Sequence, residues 1–167
     1  MTASTKTLTT KTPATPKPAA AAQDAIALLK ADHGTVSGLF EEYEKADSSK
    51  KRKALVAEIC TELSVHAQIE EEIFYPAVKA ALKDKLLVPE ATVEHASLKD
   101  LIAQIEGVEP DGELYAAKVK VLSEYVKHHV KEEQNEMFPK AKATSLDLAE
   151  LGVQMAARKT ELLAARA

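Results

Sequence analysis

The chain has 167 residues, 46% of them apolar and only 4% aromatic, enough for one domain with a real core; Ala, Leu, Glu and Lys dominate, which disfavours a sheet protein. The formal charge is −4, and the first 22 residues carry Lys6, Lys11 and Lys17 with no acid, so the rest is more acidic still and lacks the basic surface that nucleic acid requires. One cysteine, Cys60, excludes an intrachain disulfide framework, and with no long apolar run for a membrane span or secretory signal, a soluble cytoplasmic protein is expected.

In chain order, residues 1–22 are a low-complexity mix of Thr, Lys, Pro and Ala, with too little apolar bulk to fold, and are expected to be a disordered tail. Helix A follows from about Gln23 to Lys45, with Ile26, Leu29, Val36, Leu39, Phe40 and Tyr43 at helical spacing. Ser48 or Ser49 caps helix B, which turns Ile59, Leu63, Ile73 and Phe74 inward and meets Pro76 as a kink or break. Pro89 opens helix C, which uses Leu98, Leu101, Ile102 and Ile105 and ends at Gly107. Pro110 and Asp111 start helix D, with Leu114, Leu122 and Val126 inward and Pro139 at its end. Thr144 and Asp147 form a capping box for helix E. Short connections make sequential helices antiparallel. The expected fold is all-α: an up-down-up-down four-helix bundle over residues 23–142 with an additional C-terminal helix over 143–167.

An internal echo carries the chemistry. Helix B reads HAQIEEEIFYP from His66 to Pro76, and helix D reads HVKEEQNEMFP from His129 to Pro139. Each has Glu four residues after His, an aromatic nine after and Pro ten after. Asp32-His33 on helix A and Glu94-His95 on helix C echo each other more faintly. Residues i and i+4 share a helix face, so His66 and Glu70 join the stripe of Ile59, Leu63 and Ile73, and His129 and Glu133 join that of Leu122, Val126 and Met137. His33 falls between Leu29 and Val36, and His95 between Ala91 and Leu98. At 1.5 Å per residue all four histidines lie roughly 18–26 Å from the shared A–B and C–D turns. Two buried carboxylates with no Lys or Arg on those stripes need compensation, and a cation supplies it. The mixed imidazole and carboxylate set suits iron or manganese, with zinc as a further option, and bridging glutamates suit two metals. No Glu-x-x-His of the ferritin type and no His-Glu-x-x-His is present. Tyr75 and the other tyrosines read as packing residues, Cys60 as a structural thiol, and Glu71, Glu72, Glu132 and Glu136 as a solvated acidic face.

Taken together, Asp-His, His-x-x-x-Glu ending in Phe-Tyr-Pro, Glu-His and a second His-x-x-x-Glu ending in Phe-Pro resemble the hemerythrin family, in the branch called HHE cation-binding domains. The resemblance runs from about Asp24 to Pro139 and extends to the helix E pattern. It implies a non-haem centre of two iron ions, carboxylate- or oxo-bridged, with His33, His66, Glu70, His95, His129 and Glu133 as metal ligands, and dioxygen or a related species such as nitric oxide or peroxide as the partner. Oxygen-carrying members have a second His one turn from the helix C ligand, where this chain has Ala91 and Lys99. They also space the second carboxylate five residues after its His; His128 would restore that spacing, but His129 matches the echo and the apolar stripe. The missing fifth His points away from reversible oxygen carriage, toward a more open and oxygen-rich site in which Glu71, Glu94 or Glu132 completes the shell. Three functions compete at this stage: a binding or sensing module, a peroxidase- or catalase-like enzyme, and a helical scaffold with an incidental metal.

Overall fold

The computed structural model describes residues 23–108 and 112–167; the N-terminal tail and the Pro110-Asp111 helix start lie outside the described residues. The elements are α1 (Ala25–Lys45), α2 (Ser49–Ile69), a π-helical turn (Glu70–Phe74), α3 (Tyr75–Leu82), α4 (Leu87–Glu106), α5 (Glu113–Glu132), a second π-helical turn (Glu133–Met137), α6 (Phe138–Lys142) and α7 (Leu148–Arg166). The boundary residues on both sides of each π turn are helical, so α2–π–α3 and α5–π–α6 are two continuous rods. With α1 and α4 they make the four-helix bundle, and α7 packs along α1 and α2.

Helix starts follow their capping residues. The side chain of Asp24 accepts from Ala27 N (2.8 Å), that of Ser48 from Lys51 N (3.3 Å), and that of Asp147 from Glu150 N (2.9 Å). Each such cap is worth ~1 kcal/mol. The cap of the last helix is therefore Asp147 with Glu150 three residues on, not Thr144 with Asp147; the Thr144 hydroxyl instead accepts from Leu146 N.

Three further sequence expectations shift. Pro76 and Pro139 do not break their helices, which run on to Leu82 and Lys142. Each follows a π turn in which the Tyr75 and Phe138 amides donate to Glu70 O and Glu133 O, five residues back. The ladder is already opened there, so a residue without N–H is tolerated. On α5 the inward position is taken by Tyr115 at 4% exposure, while Leu114 stays 66% exposed.

The core is in two clusters. One, near the α1–α2 and α4–α5 connections, packs Phe40, Ile59, Ile102 and Leu122; the other, near the opposite end, packs Leu29, Phe74, Val88 and Phe138. Between them lies one polar layer: Asp32, His33, His66, Glu70, His95, His129 and Glu133, all buried. Among the described residues no helix is long and apolar enough to cross a membrane.

Candidate metal centre

The four histidines enter the polar layer from α1, α2, α4 and α5, with Glu70 and Glu133 each opening a π turn one helical turn after a histidine. Every ring is oriented from behind. His66 Nδ1 donates to Asp32 Oδ2 (3.2 Å) and His129 Nδ1 to Glu94 Oε2 (2.5 Å). His95 Nδ1 donates to Glu71 Oε1 (3.0 Å) and His33 Nδ1 to Gln134 Oε1 (3.0 Å). With all four Nδ1 atoms serving as donors, the Nε2 atom of each neutral ring carries a lone pair. Those lone pairs face each other: His33 Nε2 lies 3.1 Å from His66 Nε2, and His95 Nε2 lies 3.1 Å from His129 Nε2. Two acceptors at that distance repel unless a proton or a cation sits between them.

The glutamates complete two groups. Near α1 and α2, His33, His66, Glu70 and Glu133 bring four donor atoms together; near α4 and α5, Glu70, His95 and His129 bring three. Glu70 serves both, with Oε1 3.1 Å from His66 Nε2 and Oε2 3.2 Å from His95 Nε2. Glu133 Oε2 lies 3.3 Å from His33 Nε2. Although ring nitrogens stand this close, Glu70 Oε1 and Glu133 Oε2 are buried and make no hydrogen bond. Donor atoms gathered this closely are within reach of one shared ion. The residues fit a metal pair, and the hydrogen-bonded acceptors behind the rings are the outer partners such ligands need.

Tyr75 is the residue that sequence reasoning missed. Its hydroxyl donates to Glu133 Oε1 (2.7 Å) and lies 3.1 Å from His95 Nε2 and 3.3 Å from His129 Nε2. It thus supplies the second group with a fourth oxygen or nitrogen atom. The signal was present in the echo, because Tyr75 stands where the other repeat has Phe138. Glu71 and Glu94, read as candidate ligands or surface acids, stand behind histidines instead. Adjacent His128 points outward, 63% exposed, toward Glu94 and Glu132. Cys60 lies in the core cluster away from this layer.

Electrostatics follow the same geometry. Burial alone would favour the neutral His66 ring, but Glu70, Asp32 and Glu133 together raise its pKa to about 10. Burial also opposes ionisation of Glu70, yet His66 and His95 hold its carboxyl well below the usual range. Burial, with the Glu70 and Glu133 charges behind it, pushes the Tyr75 phenol well above its ordinary value. Without metal, then, protons neutralise the centre. His66 goes from 6.5 in the unfolded chain to about 10 in the fold, so its stabilisation is complete below pH 6.5 and is lost as pH rises toward 10. The melting temperature of chelated protein is expected to fall across that window, and a flat profile would contradict this. Metal uptake should correspondingly release protons.

A family model for the hemerythrin HHE cation binding domain matches residues 24–141. An uncharacterized protein of Mycobacterium tuberculosis is 30% identical over 139 residues, covering 81% of this chain and 84% of that one. A DNA nickase of Nostoc is 28% identical over 111 residues, which is 66% of this chain and 31% of the nickase; the chain therefore spans under a third of that relative. Among solved structures, a hemerythrin HHE cation binding domain-containing protein from Mycobacterium kansasii superposes with a TM-score of 0.72 at 30% identity, covering 84% of this chain and 87% of that one.

Proposed function

The chain belongs to the hemerythrin HHE cation-binding family, and from that premise we propose that it is a non-haem di-iron protein whose buried centre binds or senses dioxygen or a related small species such as nitric oxide or peroxide. The observation that carries this reading is the facing of four imidazole Nε2 lone pairs and two hydrogen-bond-less carboxylate oxygens in one buried layer. Imidazole, carboxylate and phenol donors without a thiolate favour iron. His33, His66, Glu70 and Glu133 would hold one ion; His95, His129 and Glu70 would hold the other, with the Tyr75 hydroxyl beside it. Iron so held supplies small-ligand binding and one-electron chemistry.

The protein's own contribution is the shape and dryness of the pocket. A cavity of about 30 Å³ lies against the four histidines and is walled by Val36, Leu63, Leu98, Ile102 and Val126. That leaves room for a small ligand of a few atoms, which suits a diatomic species or peroxide. The aliphatic wall excludes bulk water, and Asp32, Glu71, Glu94 and Gln134 lock the ring orientations. Nickase activity belongs to a relative mostly outside the alignment and is not carried over.

One observation favours peroxide-consuming activity as a second reading. The Tyr75 hydroxyl places a proton donor 2.7 Å from Glu133 Oε1 inside the centre, where general acid–base work on a bound oxygen species is possible. Elemental analysis should find two irons per chain, and titration with dioxygen, nitric oxide and hydrogen peroxide should change the visible spectrum with at least one of them. Iron-loaded protein indifferent to all three refutes the proposal. Tyr75→Phe, which restores the repeat's symmetry, is expected to keep both ions while removing that proton donor. Peroxide turnover lost in this variant supports the enzyme reading, and turnover kept assigns the phenol a packing role.

A further inference from the structure

Three carboxylates stand behind the histidines of the centre, and two of them have a fixed cation. Asp32, behind His66, receives Lys159 Nζ from α7 at 2.5 Å. Glu71, behind His95, receives Lys99 Nζ at 2.5 Å. Glu94, behind His129, pairs with no Lys or Arg among the described residues. Its outer oxygen, Oε1, instead faces His128 Nε2 at 3.5 Å, and the same nitrogen lies 3.2 Å from Glu132 Oε1. In the internal repeat Glu94 corresponds to Asp32, so the place held by an ammonium in one half is flanked by one imidazole and a second acid in the other.

The spacing of those three atoms suits an ion. Ligands about 2.1 Å from a divalent metal at tetrahedral or octahedral angles lie about 3.0–3.4 Å apart, close to the 3.2 and 3.5 Å seen here. The donors of Glu94, His128 and Glu132 form a third metal-competent group beside the two buried ones. A small cleft beside this group is lined by exposed Glu90, half-buried Glu94 and Glu132, buried His129 and Glu133, and the apolar Leu87, Ala91 and Met137. Two residues of the outer group and two of the centre thus line one cleft, the outer ones more exposed than the inner ones.

We propose that Glu94, His128 and Glu132 form an outer divalent-cation site, which captures metal at the surface and passes it along the Glu90–Glu133 cleft to the buried pair. The loading role rests on the di-iron reading above; the outer site does not. Glu94 is the hinge between the two, since one oxygen faces the captured ion while the other holds His129 in place. The ligand set has one imidazole and two carboxylates, exposed to water, so the site is weak and exchangeable by construction.

The test uses metal-free full-length protein titrated anaerobically with Fe²⁺ and, for stoichiometry, with Mn²⁺. Wild type is expected to take up two tight ions and one weaker one. His128→Ala/Glu132→Gln should lose only the weaker ion and fill the centre on the order of tenfold more slowly, a steering-sized effect. Glu136→Gln, a nearby exposed acid outside the group, controls for general charge and should load like wild type. Retention of the third ion in the double variant, or equal slowing in Glu136→Gln, overturns the proposal. An ion lost in the double variant but kept in His66→Ala, with no tight pair in wild type, leaves the outer site standing and refutes the buried centre instead.

Discussion

Glu70→Ala is expected to strip the protein of both ions. Glu70 is fully buried, and its two oxygens are divided between the two histidine pairs, 3.1 Å from His66 Nε2 and 3.2 Å from His95 Nε2. Its loss therefore removes a donor from each group; Glu133 also spans the two but stands nearer the first, 3.3 Å from His33 Nε2 and 3.8 Å from His129 Nε2. Outer partners of metal ligands commonly matter by 10–100-fold in affinity; loss of a shared inner donor should exceed about 100-fold. Glu70→Gln keeps the volume and tests the charge separately, and it too should lose the pair. Elemental analysis after dialysis decides the matter, and two ions per chain in both variants would remove Glu70 from the ligand set. The metal-free Glu70→Ala protein should also be less stable below pH 6.5, because protonated His66 loses the carboxylate that most strongly supports its charge.

The largest expected effect on stability alone is at Gly152 in α7. A Cβ there would lie 2.2 Å from Gln23 O and 2.8 Å from both Asp24 C and Ala25 N. These are backbone atoms at the capped start of α1 and cannot swing aside. In an isolated helix Gly→Ala gains about 1 kcal/mol; here the sign reverses. Overpacking should cost about 2 kcal/mol, or roughly 4–8 °C in melting temperature for a chain of this size. The relief available is for α7 to draw back, which would unseat Met155 from the second core cluster. It would also loosen Arg158 from Glu72 and Lys159 from Asp32. A rise in melting temperature for Gly152→Ala would mean that α7 does not lie this close to α1.

Much of this was legible in the sequence because helix periodicity is a local property. The apolar stripes on α1, α2, α4 and α5 predict the bundle, and the histidines and glutamates that interrupt those stripes are the residues that meet in the polar layer. What was not legible depends on a change of period. At 100° per residue, Tyr75 lies about 140° around the helix from Glu70 and cannot face the same way. A π turn has more residues per turn and brings the fifth residue back toward the first, so the Tyr75 hydroxyl reaches Glu133 and the histidines. Nothing in EEEIF announces that turn; the echo with EQNEM is the only hint. The same change hid the tolerance of Pro76 and Pro139. The second miss was one of partnership. Lys159 lies 127 residues from Asp32, and no pattern along the chain links them. Leu114 and Tyr115 are neighbours of similar apolar character, and only packing within the first core cluster selects the tyrosine.

The two helical hairpins, α1 with α2 and α4 with α5, do not each own an ion. One group draws His33 and His66 from the first hairpin but Glu133 from the second, and the other draws His95 and His129 from the second but Glu70 from the first. Ring orientation is exchanged as well, since Gln134 holds His33 and Glu71 holds His95. Metal bound at these groups would therefore act as a staple across the seam between the halves. Its removal should loosen the hairpins against each other before either one unravels, and its presence should make them melt as a single cooperative unit.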